Sequence, residues 1–183
     1  MPSQRSSGTG RAASQTLIPA LIAAVAALLL DQLTKWLIVE FVMPPPQLIP
    51  VTPFFNLTLG YNPGISFGLF GSILKEWPNL FAVTKIAVVI GLFWWASTLR
   101  SRLEAAAVGL IAGGASGNII DRMRQGAVTD FLDFHASGWH WPTFNLADVA
   151  IVLGVTVLLA ASLGMIGQPQ AREAGEQGAS GDR

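Results

Sequence analysis

The chain has 183 residues, 51% of them hydrophobic and 12% charged, with a mean hydropathy of +0.51; this is too apolar for an ordinary soluble domain and points to a membrane protein. Its 11 Lys and Arg balance 11 Asp and Glu, and no basic run interleaves with aromatic residues, which argues against nucleic acid as a partner. The absence of cysteine excludes disulfides, thiolate metal sites and a cysteine nucleophile.

Residues 1–16, rich in Ser, Gly, Ala and Gln, read as a disordered tail. Leu17 to Trp36, LIPALIAAVAALLLDQLTKW, is long enough at about 1.5 Å per residue to cross a hydrocarbon layer of about 30 Å. Arg5 and Arg11 precede it in the manner of a signal peptide, but the apolar run continues into Asp31 and Lys35 with no convincing small-residue cleavage site, so a retained helix is expected. In the segment 43–78, MPPPQ is followed by FFNLTLGYN, whose alternation predicts a short strand, and Phe70, Ile73, Leu74 and Trp77 recur at the spacing of an interfacial helix. Leu80 to Ser97, Ala105 to Ile120 and Leu146 to Gly164 give three further spans. Within the third span Ala105, Gly109, Gly113 and Gly117 recur every four residues, a smooth stripe for close helix packing. Residues 167–183 form a second disordered tail.

The predicted architecture is an all-α membrane protein: four transmembrane helices over residues 17–166, with a small extracytoplasmic β/loop cradle and a short interfacial helix. Arg100 and Arg102 in the STLRSR loop, with Arg5, Arg11 and Arg172 in the tails, place that loop and both termini in the cytoplasm. Segments 43–78 and 123–145 then face outward. Trp36, Trp77, Trp139 and Trp141 near the outer surface, and Trp94 and Trp95 near the inner one, suit interfacial aromatic belts.

The polar residues gather at the outer surface. Asp31 and Lys35 stand four apart, as a structural ion pair or a substrate contact requires. Asn118, Asp121 and Arg122 end the third span, where a helix-end network is the modest explanation. Asn145 at an N-cap and Asp148 three positions on suit the start of the fourth span, so capping alone explains both. Asp130 is less easily explained, since VTDFLDF holds no cation within four residues of it. In a strand Asp130 and Asp133 point to opposite faces, so only one of them need face the helices. His135 and His140 flank this run without metal-ligand spacing, and no G-x-S-x-G, H-E-x-x-H or phosphate-binding lysine loop occurs. Paired carboxylates are left as the best catalytic equipment: one stays protonated while the other accepts a proton from water. A proton-coupled transporter would place polar groups near the midplane in interrupted helices, and a noncatalytic scaffold would leave the acid in VTDFLDF without a purpose.

In order, DQLTKW from Asp31, NPGISFG from Asn62, GGASGNIIDR from Gly113, VTDFLDF from Val128 and FNLADVAI from Phe144 resemble the lipoprotein signal peptidases, or type II signal peptidases, of bacterial inner membranes, over about residues 17–166. The resemblance implies an aspartic endopeptidase without metal or cofactor. It would cut diacylglyceryl-modified prolipoproteins before the lipid-bearing cysteine, among membrane lipids, as a monomer, with its active site at the periplasmic face. It implies Asp130 and Asp148 as the catalytic pair. Asp31, Lys35, Asn62, Gly64, Asn118, Asp121, Arg122, Asn145 and Ala147 match further characteristic positions, as substrate-binding or supporting residues, and Asp133 is left as a supporting or structural acid. Because a helix terminus favours a carboxylate, Asp148 is expected to be the base and Asp130 the proton donor.

Overall fold

A computed structural model describes residues 8–63 and 78–166. Helix α1 (Gly8–Leu37) begins inside the segment expected to be a tail and runs into a π-helical turn, Ile38–Val42. Arg11, Ala12, Ala13 and Gln15 are tolerant or good helix formers, so the helix has no local reason to stop at Leu17. Strands β1 (Ile49–Thr52) and β2 (Phe55–Asn62) follow, then helices α2 (Pro78–Thr98) and α3 (Arg102–Gln125), strands β3 (Val128–Ala136) and β4 (Trp139–His140), and helix α4 (Leu146–Ser162). The expected interfacial helix at Phe70–Trp77 and the candidate residue Gly64 lie outside the described residues.

Local chemistry sets the ends of α3. Ser101 caps it by accepting the N–H of Glu104 (3.3 Å), and Gly126, at φ 76°, closes it in the left-handed conformation that glycine adopts most easily. This helix occupies the centre, against α1, α2 and α4. Its glycine stripe performs the packing expected of it: Gly109 and Gly113 lie directly on the α1 backbone at Ala20 and Ala24, leaving no room for a Cβ, and Gly117 abuts the Asp31 carboxylate. A second set of close approaches, Gly114 on Ala147 and Gly154 on Ala107, joins α3 to α4.

Outward-facing side chains are apolar: Ile22, Leu29, Ile90, Val152 and Leu159 are all more than half exposed. An exterior of this kind requires a hydrocarbon surround. Among the described residues Gln15–Val42 and Arg102–Gln125 are long and apolar enough to cross a membrane, while the Ile86–Thr98 part of α2 and Leu146–Ser162 are shorter apolar stretches.

The cradle is a four-stranded antiparallel sheet in the order β1-β2-β3-β4, with all of FFNLTLGYN but its first residue forming β2 as its alternation predicts. Ile38, Met43 and Phe131 form the buried contact between the end of α1 and the sheet. Phe55, Phe134 and Phe144 stack in succession, with ring centroids 4.9 and 5.8 Å apart, while Trp139 and Trp141 meet edge to face beyond them.

Candidate active site

The approach to α4 is fastened to β3 before the helix starts. The Phe144 carbonyl accepts the N–H groups of Phe131 (3.0 Å) and Leu132 (2.9 Å), and the Phe144 N–H returns to the Leu132 carbonyl (3.1 Å). Asn145 therefore begins α4 beside Asp130. It caps the helix reciprocally with Asp148: Asn145 Oδ1 accepts the Asp148 N–H (3.1 Å), and Asp148 Oδ2 accepts the Asn145 N–H (3.3 Å). The capping roles read from FNLAD are thus present.

With its oxygen committed to the cap, Asn145 aims Nδ2 at Asp130 Oδ1 (2.6 Å) and also toward Asn118 Oδ1 (3.2 Å). Asn118 is oriented in the same way. Its Oδ1 accepts Lys35 Nζ (3.1 Å) besides Asn145, so its Nδ2 donates to Asp148 Oδ1 (2.9 Å). Two amides, each with its oxygen already occupied, run between two carboxylates.

The carboxylates differ in setting. Asp130 is 3% exposed. Burial pushes its carboxyl above the usual carboxylate range and the nearby charge of Asp148 adds to this, against the opposing hydrogen bonds of Asn145 and Asn62 and the more distant Lys35. Antiparallel pairing of Gly60 with Asp130 and of Asn62 with Val128 brings Asn62 into this site. Asp148 is half-buried and lines a cleft of about 530 Å³ with Trp141, Phe144, Val149, Val152, Leu153 and Thr156. Asp148 thus sits where an apolar cleft along α4 meets the sheet, and the two amides link it to the buried Asp130.

Behind the pair lies an ion cluster. Lys35 Nζ is 2.8 Å from both Asp31 Oδ2 and Asp121 Oδ2, with all three side chains buried. The i, i+4 pairing read from DQLTK is present, and Asp121 joins it from α3. Gln32 Nε2 donates to Asp121 Oδ1 (2.9 Å) and Asp31 Oδ2 (3.2 Å). Asp31 Oδ1 accepts the Ala147 N–H (2.9 Å) and Asp121 Oδ2 the Thr129 N–H (3.1 Å). Arg122 instead turns back on its own helix, with Nη1 donating to the Asn118 carbonyl (3.3 Å).

Asp133 faces away from Asp130, as strand alternation requires. It accepts Asn56 Nδ2 (2.8 Å) and pairs with His140 Nδ1 (2.8 Å). Burial works to raise its carboxyl, but these two partners outweigh it and hold Asp133 below its ordinary value. His135 and His140 stack at 5.0 Å, and among the described residues no group of three or more His, Asp or Glu has the geometry to hold a metal. Sequence reasoning missed Gln32, Asn56 and Thr129. Gln32 was marked only by its place beside Asp31, Asn56 by nothing short of the β2–β3 register, and Thr129 acts here through its backbone, which no side-chain motif reveals.

Polar side chains from three helices and two strands, gathered at one end of an apolar bundle, define a membrane enzyme. The fold matches a bacterial membrane enzyme solved by the in meso method at 2.3 Å resolution, with a TM-score of 0.67 and 28% identity over 84% of this chain and 92% of that one. A second, at 1.9 Å resolution, gives a TM-score of 0.68 and 30% identity over 79% and 92%. The family model described as signal peptidase (SPase) II matches residues 23–164, and the chain belongs to that family: it is a peptidase. Similar proteins include the lipoprotein signal peptidases of Rhodopseudomonas palustris (strain TIE-1), 43% identical over 81% of this chain and 93% of the relative, and of Methylorubrum extorquens (strain PA1), 46% identical over 78% and 84%.

Proposed function

We propose that this peptidase removes signal peptides from diacylglyceryl-modified prolipoproteins by cutting before the lipidated cysteine, with Asp130 and Asp148 as its catalytic pair, at the periplasmic face of a bacterial inner membrane. The observation that carries the reading is the two-amide link between a buried and a half-buried carboxyl group at the head of an apolar cleft. A substrate anchored by acyl chains has its scissile bond close to the membrane surface. The cleft along α4 offers those chains an apolar wall, and the carboxyl pair stands at the end of it.

In this reading all four helices cross the bilayer. Helix α2 has 21 residues, roughly 30 Å at about 1.5 Å per residue. Arg100 in the α2–α3 connection and Arg102 at the start of α3 lie at the end of α3 opposite Asn118 and Asp121, which supports a site outside and termini inside. The chain acts as a monomer without a metal or cofactor. Asp148, whose carboxylate suits a helix N-terminus, takes a proton from a water as its oxygen attacks the scissile carbonyl carbon. Asp130, protonated, gives its proton to the carbonyl oxygen. As the diol collapses and the C–N bond breaks, Asp148 gives the leaving amine the proton it took from water and a diol hydroxyl returns one to Asp130, so the pair regains its starting state. Asn62, Asn118 and Asn145 hold the two carboxyls in place, and the buried Ala147 supports Asp148 through its N–H bond to Asp31.

The test is cleavage of a diacylglyceryl-modified prolipoprotein by the purified protein in detergent with EDTA present. Wild type should cut, while Asp130→Asn and Asp148→Asn should each lose at least about 100-fold, within the span general acid–base catalysis supplies. Equal activity of all three folded proteins would remove the pair from the mechanism.

A further inference from the structure

The ion cluster contacts the two proposed catalytic residues through matching connections. Asp31 Oδ1 accepts the N–H of Ala147, immediately before Asp148, at 2.9 Å. Asp121 Oδ2 accepts the N–H of Thr129, immediately before Asp130, at 3.1 Å. Lys35 Nζ stands 2.8 Å from an oxygen of each acid, and it also donates at 3.1 Å to Asn118 Oδ1, the amide that holds Asp148. Gln32 bridges the same two acids with a neutral donor.

The geometry points to Asp31, Lys35 and Asp121 as a spacer that sets the separation of the Asp130 and Asp148 carboxyls. These are positioning residues, not catalytic ones. The inference rests on Asp130 and Asp148 being the reacting pair.

The reason is one of anchoring. Asp130 lies on β3 and Asp148 in the first turn of α4, elements joined directly by the Phe144 backbone pairing and by the Asn145 side chain. The side chains of such a pair are only as well placed as the backbones beneath them. An ammonium with all three hydrogens engaged has one stable position, and it fixes two carboxylates that each grip the backbone one residue short of a reacting group. With Asp31 at 0% exposure and Lys35 and Asp121 at 5%, the cluster is closed to a peptide substrate. A buried ion pair adds little net stability compared with an apolar replacement, whereas misplacing reacting groups by about 1 Å can cost on the order of 100-fold in rate.

The test uses the full chain in detergent, measuring kcat and KM separately for a diacylglyceryl-modified prolipoprotein and scaling both to the folded fraction from thermal unfolding. Lys35→Met should lower kcat about 100-fold with KM little changed, and Lys35→Arg, which keeps the charge and a fork of donors, should recover much of the loss. Asp121→Asn keeps an oxygen for the Thr129 N–H but gives up the charge that Lys35 holds; it should show the same selective loss in kcat and serves as the second variant if Lys35→Met does not fold. A purely structural role would lower the folded fraction and leave kcat per folded molecule at the wild-type value, which overturns the spacer. Asp130→Asn and Asp148→Asn run in parallel. If either stays active, the pair itself is wrong and the spacer falls with it; if both are dead while Lys35→Met keeps its kcat, the spacer alone fails.

Discussion

Asp130 and Asp133 stand three positions apart on β3, and their surroundings push them in opposite directions. For Asp130, burial and the charge of Asp148 raise the folded-state pKa, so the folded protein holds this proton more tightly than the unfolded chain does. Its contribution to stability is complete below the unfolded value of about 3.9 and is lost as pH rises through the folded one. For Asp133 the folded value is lowered, so its contribution is present above about 3.9 and is lost as pH falls through the folded value. Two outcomes follow for variants at these positions. Asp130→Asn, expected to be inactive under the proposed mechanism, should unfold at a higher temperature than wild type at alkaline pH, with the difference closing as pH falls toward about 4. Asp133→Ala, which orphans Asn56 Nδ2 and the His140 contact, should lose about 1–3 kcal/mol while the folded fraction keeps its kcat. Thermal unfolding across pH beside peptide cleavage reads both, and a dead but fully stable Asp133→Ala would reverse the roles given to the two acids. In the proposed mechanism Asp130 must be protonated to donate, so the alkaline limb of kcat/KM should follow its raised pKa.

Between helices the decisive contacts involve missing side chains. At Gly113 a Cβ would strike the Ala24 backbone of α1, and because both partners are backbone neither can swing aside. Gly113→Val should therefore cost about 1–3 kcal/mol by overpacking, and through the α1–α3 interface it should also disturb the Asp31–Lys35–Asp121 cluster about two turns further on. Gly91 in α2 has nothing within 4 Å of a Cβ, so Gly91→Ala should be neutral or gain up to about 1 kcal/mol of helix propensity. Thermal unfolding in detergent separates the two, and equal behaviour would show that the α1–α3 contact is looser than described. The same dependence on backbone holds at the start of α4, where Asn145 caps the helix with its oxygen and holds Asp130 with its nitrogen. One residue thus joins the helix terminus to the site.

At the scale of the whole molecule the site is a place where four sequence-distant segments meet at one end of an apolar bundle, and its orientation in the membrane is open to direct measurement. The chain has no cysteine, so an introduced one is unique. Ala136→Cys at the end of β3 should react with an impermeant maleimide in spheroplasts, and Thr98→Cys at the end of α2 only after the membrane is broken; the reverse pattern would invert the proposed topology. Much of this was legible in the chain alone. Apolar runs marked the bundle helices because burial in hydrocarbon selects composition over a whole helix. The i, i+4 spacing of Asp31 and Lys35, the Asn145–Asp148 cap and the glycine stripe were readable because each is local to one helix, where spacing fixes geometry. The ordered motifs pointed to the signal peptidase II family that residues 23–164 match. The start of α1 at Gly8 was not legible, since a polar, helix-tolerant segment carries no hydrophobic pattern to announce itself. Nor could the sequence tell which partner each polar group takes: that Asp121 completes the Lys35 cluster, that Asp133 turns to Asn56, or that Thr129 and Ala147 offer their N–H groups to buried acids. Those pairings join residues up to 116 positions apart, and only the packing of α1, α3, α4, β2 and β3 brings them within hydrogen-bonding distance.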